Sequence, residues 1–384
     1  MGSGQADGRR VVAMVSDAIH PYHRGGKELR YYELTRRLAG RADIHVYTMN
    51  WWNGPRVRQE DGVTFHAISR LYPLYVNDRR SLRQAVFFGL ACLRMLRYDF
   101  DVLEADHIPF IQVLILRLVT TVKRKPFVVT WHEVWGRAYW RQYLGRLGVV
   151  AWLIESVAMR LPDHIIAASP QTAERLRASI GTKWIGTKPT VSVAPNGIDL
   201  DAVAQAHPDS APTDVAVVGR LMTHKRIDML LESVARLRAE GIQVTCRVIG
   251  DGPERTALRQ VADQLGIADL VDFRHDVTEQ KDVYGLLKAA RVCVFPTARE
   301  GFGIAVLEAL ACGMPVITTS APDNLAQHLV RRSARGTVCE PTVTALTDAL
   351  KAALEGPEPG AAEPWLREYG WDAITDLVAE AFAI

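Results

Sequence analysis

The chain has 384 residues, with 46 Lys plus Arg against 43 Asp plus Glu, 48% hydrophobic residues, 28 Gly, 19 Pro and 5 Cys. At roughly 100–200 residues per domain this predicts two domains, each able to bury its own core, and excludes a disordered chain, a collagen-like repeat and a disulfide-stapled mini-protein. Charge is uneven: residues 1–190 carry a formal +12 and residues 191–384 carry −9, so the first half either faces something anionic or has an Arg-rich solvated surface.

Cys92, Cys246, Cys293, Cys312 and Cys339 are odd in number, widely spaced and mostly set in apolar runs. They read as reduced core residues, without a disulfide framework or a zinc site, and place the protein in the cytoplasm. The apolar runs around residues 85–93 and 108–116 fall short of the ~18 residues a membrane span needs. The Gly-rich, charged opening ten residues do not read as a signal peptide. A soluble protein is expected, or one peripheral on the inner face of the cell membrane.

In chain order, one pattern occurs twice: a β-branched run, a Gly-containing turn, then an amphipathic helix, as in parallel sheets covered by helices. The first copy has a strand over 11–15, a turn through Gly25-Gly26 and a helix over 27–38, then strands over 44–48, 102–104, 127–131 and 164–168. The second has a strand over 215–219 and a helix over 226–238, then strands over 244–249, 271–273, 292–295 and 315–318. Two Rossmann-like domains in tandem follow. The Pro/Asn/Gly cluster Ala194-Pro195-Asn196-Gly197-Ile198-Asp199 and the polar stretch to Thr213 mark the linker. Helical periodicity resumes over 365–382 after the break at 356–360. The basic residues are dispersed, without RNA-module aromatics, so no nucleic-acid partner is expected.

The strongest chemical signal runs from Arg299 to Ala309, Arg-Glu-Gly-Phe-Gly-Ile-Ala-Val-Leu-Glu-Ala. A Gly-rich strand-to-helix turn leaves backbone N–H groups free at a helix N-terminus, where phosphate oxygens can sit. Gly301 and Gly303 clear the approach. Glu308, in an otherwise apolar helix, needs partners; its carboxylate can accept two hydroxyls of a ribose. Glu300, before the turn, can reach a sugar; the bland alternative makes it a cap. The second signal is Gly219-Arg220-Leu221-Met222-Thr223-His224-Lys225, two cations at the carboxyl end of a strand, suited to a diphosphate. Neither the dinucleotide fingerprint nor a P-loop is present, which argues against hydride transfer and ATP hydrolysis.

Together with Gly25-Gly26, Val193 to Asp199 and Gly250-Asp251-Gly252-Pro253, these residues resemble glycosyltransferase family 4 over nearly the whole chain. The resemblance implies the α/β GT-B fold. Residues 1–198 would form an acceptor-binding Rossmann-like domain and 199–365 a nucleotide-sugar-binding one, facing each other across a cleft. A C-terminal helix, 366–384, would pack back on the first. It implies a retaining hexosyltransferase moving a sugar from a nucleoside diphosphate sugar to an acceptor hydroxyl of a glycolipid, a polysaccharide precursor or a small natural product. Glu308 would bind the ribose; Glu300, Gly301, Phe302, Gly303 and Ile304 the donor sugar; Arg220 and Lys225 the diphosphate, beside Gly219 and Gly252. Gly25 and Gly26 would close over the phosphates, and Asn196 is grouped with these donor contacts. His132, at the end of a first-domain strand, is structural on sequence grounds alone and a reaction-centre residue by resemblance, so the catalytic set is His132, Arg220, Lys225 and Glu300. His275 stands near the expected nucleobase pocket where the family commonly has Gly.

No cofactor beyond the co-substrate and no metal requirement are expected, because Arg220 and Lys225 supply positive charge. Asp99-Phe100-Asp101 reads as a chance match to a metal-holding Asp-x-Asp. The competing readings are a sugar phosphorylase or synthase of the same fold and a nucleotide-sugar-binding, epimerase-like protein. The segment 80–97, with arginines around Val86, Phe87, Leu90 and Leu93, is either a core helix with a cationic outer face or a dock for an anionic membrane. Trp51, Trp52, Tyr72, Tyr75, Asp106, His107 and the loop His20 to Gly26 are candidate acceptor contacts.

Overall fold

The computed structural model describes residues 8–384 apart from 24, 77–78, 182–187, 278 and 357. Arg24, in the His- and Arg-rich loop, thus lies outside the described residues. The chain divides into two units, one of residues up to Gly197 with Trp371–Ile384, the other Ile198–Gly370.

The first unit carries strands β1 (Val11–Val15), β2 (Asp43–Met49), β3 (Val57–Glu60), β4 (Val63–Ser69), β5 (Val102–Asp106), β6 (Phe127–Trp131), β7 (His164–Ala167) and β8 (Thr190–Val193). They form one sheet in the order β8-β7-β6-β5-β1-β2-β4-β3, parallel throughout except where β3 pairs antiparallel with β4. Successive side chains of a strand point to opposite faces, so β1 feeds two cores. Val12 and Met14 meet the helices Gly26–Leu38 and Trp371–Phe382 through Leu34, Leu38 and Ile374. Ala13 and Val15 lie on the side of helices Leu82–Ala91, Phe110–Lys123 and Gly148–Ala158, among Phe88, Leu116 and Ala158.

The second unit carries β9 (Thr213–Val218), β10 (Cys246–Ile249), β11 (Val271–Arg274), β12 (Ala290–Phe295), β13 (Val316–Thr319) and β14 (Gly336–Cys339), all parallel, in the order β11-β10-β9-β12-β13-β14. Both sheets are therefore Rossmann-like, with the first strand of each unit inside its sheet. Among the described residues, no helix is long and apolar enough to cross a membrane. The five cysteines are free, and all but Cys339 are buried.

The structure adds the edge strands β8 and β14 to those read from the sequence and differs from that reading at three further places. The linker stretch contains a helix, Leu200–Gln205, capped by Asp199, whose carboxylate accepts from Ala202 N (2.9 Å), with Val203 buried in the second unit's core. The tail does not continue one helix from 365. Pro364–Tyr369 is a 3-10 turn whose Leu366 and Tyr369 belong to the second unit's core, Gly370 interrupts it, and only Trp371–Phe382 belongs to the first unit. The hairpin β3-β4 has no counterpart in the sequence reading, since Val-Arg-Gln-Glu carries no apolar alternation. Its turn residues Asp61 and Gly62 both have positive φ (51° and 77°), the Asp-Gly signal of a tight hairpin.

Gly250 sits at φ 132° and a Cβ there would lie 2.1 Å from the carbonyl oxygen of Gly219, joining the turns after β9 and β10. Gly250→Ala is expected to destabilise the protein by about 2–4 kcal/mol, read as a lowered urea midpoint at an unchanged slope.

Candidate functional site

In a parallel sheet the chain leaves every strand at the same edge, and ligands sit where neighbouring strands send their connections to opposite sides. In the second unit that point lies between β9 and β12. The turn Gly219–Lys225 follows β9, and Pro296–Glu300 follows β12. They are stitched together: the His224 carbonyl accepts from Ala298 N (2.8 Å) and Thr297 Oγ1 (3.1 Å), and the Lys225 ammonium is ion-paired with the Glu300 carboxylate. Lys225 and Glu300 remain about a quarter exposed, and Arg220 is exposed. The structure thus brings Arg220, Lys225 and Glu300 to one edge, as the motifs require.

Glu300 lies in a short strand, Arg299–Glu300, paired with Asp323–Asn324. Asn324 Nδ2 donates to the Thr319 carbonyl (2.8 Å), tying that strand to the end of β13. Gly301 and buried Phe302 follow; the Phe302 ring packs 5.9 Å from Tyr369, so its side chain serves the core. Gly303 caps the helix Ile304–Ala311 at φ 94°, where a Cβ would meet Ala326 Cβ at 2.5 Å. Ile304 opens that helix, and its first-turn amides have no intrahelical acceptors. Glu308 is buried one turn further on, with Gln280 Nε2 donating to its Oε1 (2.6 Å). Burial pushes its carboxyl up to about 8. Gly252 has a backbone role: a Cβ there would lie 2.3 Å from the Leu221 carbonyl oxygen. His275 is exposed just past β11, between Arg274 and Asp276, which pair with each other at 3.0 Å. A cavity of about 690 Å³ lies beside these residues, lined by His207, Arg274, Asp276 and Lys281 among others, and by none of Arg220, Lys225, Glu300 or Glu308.

The first unit has its own reversal, between β1 and β5. Lys27, in the first turn of helix Gly26–Leu38, reaches Asp17 after β1 (2.6 Å) and Asp106 at the end of β5 (2.8 Å). Asp17 also takes Arg80 (2.9 Å) and Gln84 Nε2 (3.0 Å). Asp106 also accepts from Ile108 N (3.1 Å), faces His107 Nδ1 at 3.0 Å and lies 3.9 Å from His132 Nε2. Burial opposes charge on Lys27, but Asp106 and Asp17 outweigh it and hold the ammonium protonated. Asp106 is likewise held ionised against burial, by Lys27 and His107. Burial pushes His132 down to about 3, so its ring is neutral at pH 7.

Gly25 is the N-cap of that helix and Gly26 its first residue. His23 Nδ1 lies 3.2 Å from Glu28. Asn196 is buried in the first unit, beside Pro195, whose carbonyl accepts from buried Arg30. Asp106 and His107 are not loop residues open to an acceptor, because both are buried at the end of β5. Trp52 is buried too, its Nε1 on the Pro55 carbonyl (2.7 Å), whereas Tyr75 is exposed. Asp101 accepts from Val11 N (3.0 Å) and pairs with Lys125, so the Asp-x-Asp stretch anchors the start of β1.

The sequence reading missed Asp17, Lys27 and Glu104. Lys27 had a signal, since it directly follows the Gly-Gly turn. Glu104 had none, lying in an apolar strand. It accepts from Tyr31 (2.8 Å) and Thr130 (2.7 Å) beneath the Asp106 cluster, and burial pushes its carboxyl up to about 7 against those hydrogen bonds.

Residues 24–202 match a family model described as Glycosyltransferase Family 4, and residues 202–363 one described as Glycosyl transferases group 1. A phosphatidylinositol N-acetylglucosaminyltransferase chain of Homo sapiens is 25% identical over 362 residues, 89% of this chain and 68% of that protein. A GDP-mannose-dependent alpha-(1-6)-phosphatidylinositol dimannoside mannosyltransferase of Mycobacterium tuberculosis is 34% identical over 147 residues, 35% of this chain and 36% of its own length. A D-inositol 3-phosphate glycosyltransferase 2 of Catenulispora acidiphila is 31% identical over 248 residues, 58% of this chain and 56% of its own. The chain thus spans little more than a third to a half of the latter two. Among solved structures, sucrose-phosphate synthase from Thermosynechococcus elongatus superposes with TM-score 0.78 at 20% identity, covering 98% of both chains. Anabaena HepE in complex with UDP superposes with TM-score 0.72 at 16% identity, covering 97% of this chain and 99% of that one. At these identities the likeness is one of fold.

A group whose folded pKa is raised binds its proton more tightly than in the unfolded chain, so its contribution is complete below the unfolded value and lost as pH rises through the folded one. For Glu104 that window runs from its ordinary 4.5 to about 7. Glu104→Gln is expected to flatten the fall in unfolding free energy between pH 5 and 7.5, by on the order of 2 kcal/mol in urea titrations at the two pH values.

Proposed function

Because the chain belongs to glycosyltransferase family 4, with the GT-B fold, we propose that it transfers a sugar from a nucleoside diphosphate sugar to an acceptor hydroxyl with retention of configuration and without a metal. The observation that carries this reading is the stitched edge of the second unit, where Arg220 and the Lys225–Glu300 pair stand at the strand reversal beside the helix that buries Glu308.

Departure of the diphosphate builds negative charge on its outer phosphate. Arg220, Lys225 and the amides that open helix Ile304–Ala311 neutralise it where it develops, without reorganising. Lys225 exchanges Glu300 for phosphate oxygen, which frees the Glu300 carboxylate for hydroxyls of the donor sugar. The sugar carbon bonds to the acceptor oxygen on the face the phosphate leaves, and the phosphate oxygen takes the acceptor's proton. No side chain has to become a covalent nucleophile. His132, at the end of β6 in the first unit, is neutral at pH 7 and offers a hydrogen bond rather than a charge. Three relatives named above carry inositol in their names, and this makes phosphatidylinositol and inositol phosphate the first acceptors to assay.

Thermal-shift screening against UDP-, GDP-, ADP- and dTDP-sugars identifies the donor as the one that raises the melting temperature. With that donor, Arg220→Ala and Lys225→Ala are each expected to lower turnover by about 100-fold or more while the fold persists; full activity in either refutes the diphosphate role. The ribose hydroxyls donate to ionised Glu308, whose free carboxyl titrates at about 8. Donor affinity is therefore expected to rise with pH up to about 8 and level off above it, measured by calorimetry. In Glu308→Gln that slope disappears, and an unchanged slope removes Glu308 from the ribose.

A further inference from the structure

Three of the helices that cover the Ala13/Val15 face of the first sheet, Leu82–Ala91, Phe110–Lys123 and Gly148–Ala158, are apolar on both sides. Their inner residues, Phe88, Val113, Leu116 and Ala158 among them, fill the core. Their outer residues Leu82, Phe87, Leu90, Leu118, Val150 and Leu153 are 46–68% exposed. Leu82–Ala91 packs on Phe110–Lys123, which packs on Gly148–Ala158, so these residues belong to one layer. On the opposite face, helix Gly26–Leu38 exposes no large apolar side chain and helix Trp371–Phe382 exposes Leu377 alone. Among the described residues of the second unit, only Ile242 and Leu265 are exposed large hydrophobics.

These three helices and the turns that continue them are basic, while helix Pro170–Ile180 over the same core carries exposed Glu174. Residues 82–97, 110–124 and 136–160 hold ten Lys or Arg and a single acid, Glu155. Glu155 is buried, accepting from Trp135 N (2.8 Å), Gly136 N (3.0 Å) and Trp140 Nε1 (2.7 Å). Arg117 and Lys123 meet Asp163 and Asp99 from neighbouring loops. Arg83 lies over the Phe87 ring at 5.9 Å and Arg137 over Trp152 at 5.5 Å, cations seated on the apolar surface with their charge outward.

We propose that this three-helix face is a docking surface for an anionic lipid bilayer. Exposed Leu, Val and Phe enter the interface while Arg and Lys side chains extend to lipid phosphates. A second copy of the chain fits poorly, because two such faces would bring like charges together. The surface shares no residue with the Arg220–Glu300 edge, so binding is testable without any transfer assay.

The test is co-sedimentation of the full chain with vesicles of phosphatidylglycerol and phosphatidylcholine, against phosphatidylcholine alone, in low and high salt. Pelleting with the anionic vesicles is expected to be about tenfold stronger than with neutral ones and to weaken with salt. Leu82→Ser/Phe87→Ser/Leu153→Ser, at exposed positions, is expected to lose binding by about tenfold or more at an unchanged melting temperature. Arg83→Ser/Arg146→Ser gives an independent reading, with weaker binding to anionic vesicles only. Absence of pelleting at low salt, equal pelleting with neutral vesicles, or full binding by the triple variant overturns the proposal. So does a dimer by light scattering that the triple variant dissociates.

Discussion

Both units are built around a first strand that lies inside its sheet, β1 between β2 and β5 and β9 between β10 and β12. The connections on either side of that strand run to opposite faces, leaving a gap at the carboxyl edge that no helix fills. Residues far apart in sequence meet there because the register of parallel strands aligns their ends. Asp17 and Lys27 thus meet Asp106, and Gly219 to Lys225 meets Thr297 to Glu300. The chemistry of each unit is a consequence of strand order before it is a consequence of any one side chain.

The two gaps use charge differently. In the first, Asp17 and Asp106 are fully buried and share Lys27, and their opposite charges offset the desolvation of Lys27 and Asp106. Removing one partner would strand a buried charge. In the second, Lys225 and Glu300 are partly solvated and meet in a single pair. Water still reaches both groups, so separating this pair leaves less uncompensated charge than breaking the buried one. A buried charge cluster and a partly solvated pair therefore arise from the same backbone geometry.

What the sequence made legible follows from how local each signal is. The strands β1, β6 and β12 are short apolar runs bounded by polar residues or Pro, and they form within two residues of where the pattern places them. Lys225 and Glu300 were legible as motifs, since each lies in a turn directly after a strand. The Lys27 network was not, because Asp17, Lys27 and Asp106 acquire meaning only when β1 and β5 become neighbours. Glu104 looked like one charged residue in an apolar strand until Tyr31 and Thr130 closed on it. Edge strand β3, polar and half-solvated, has no apolar rhythm to read. Tyr369 was drawn into the wrong unit because helical periodicity continues across Gly370, while the break depends on which core buries Leu366.

The positive charge of the first 190 residues gains a location in the same way. Counted along the chain it is a surplus of basic residues spread over many segments. In the fold, ten of these 28 residues fall on three helices and the turns that continue them, which come from separate stretches and adjoin because their inner sides share the Ala13/Val15 core. Of those stretches, 80–97 alone carries an amphipathic and basic pattern strong enough to be noticed; Leu118 and Leu153 look like ordinary core positions until the layer is assembled. A helix layer that is apolar inside to build the sheet and apolar outside as well satisfies only half its surface by folding. The outer half then constrains what this face meets, and the basic excess of these segments narrows that further.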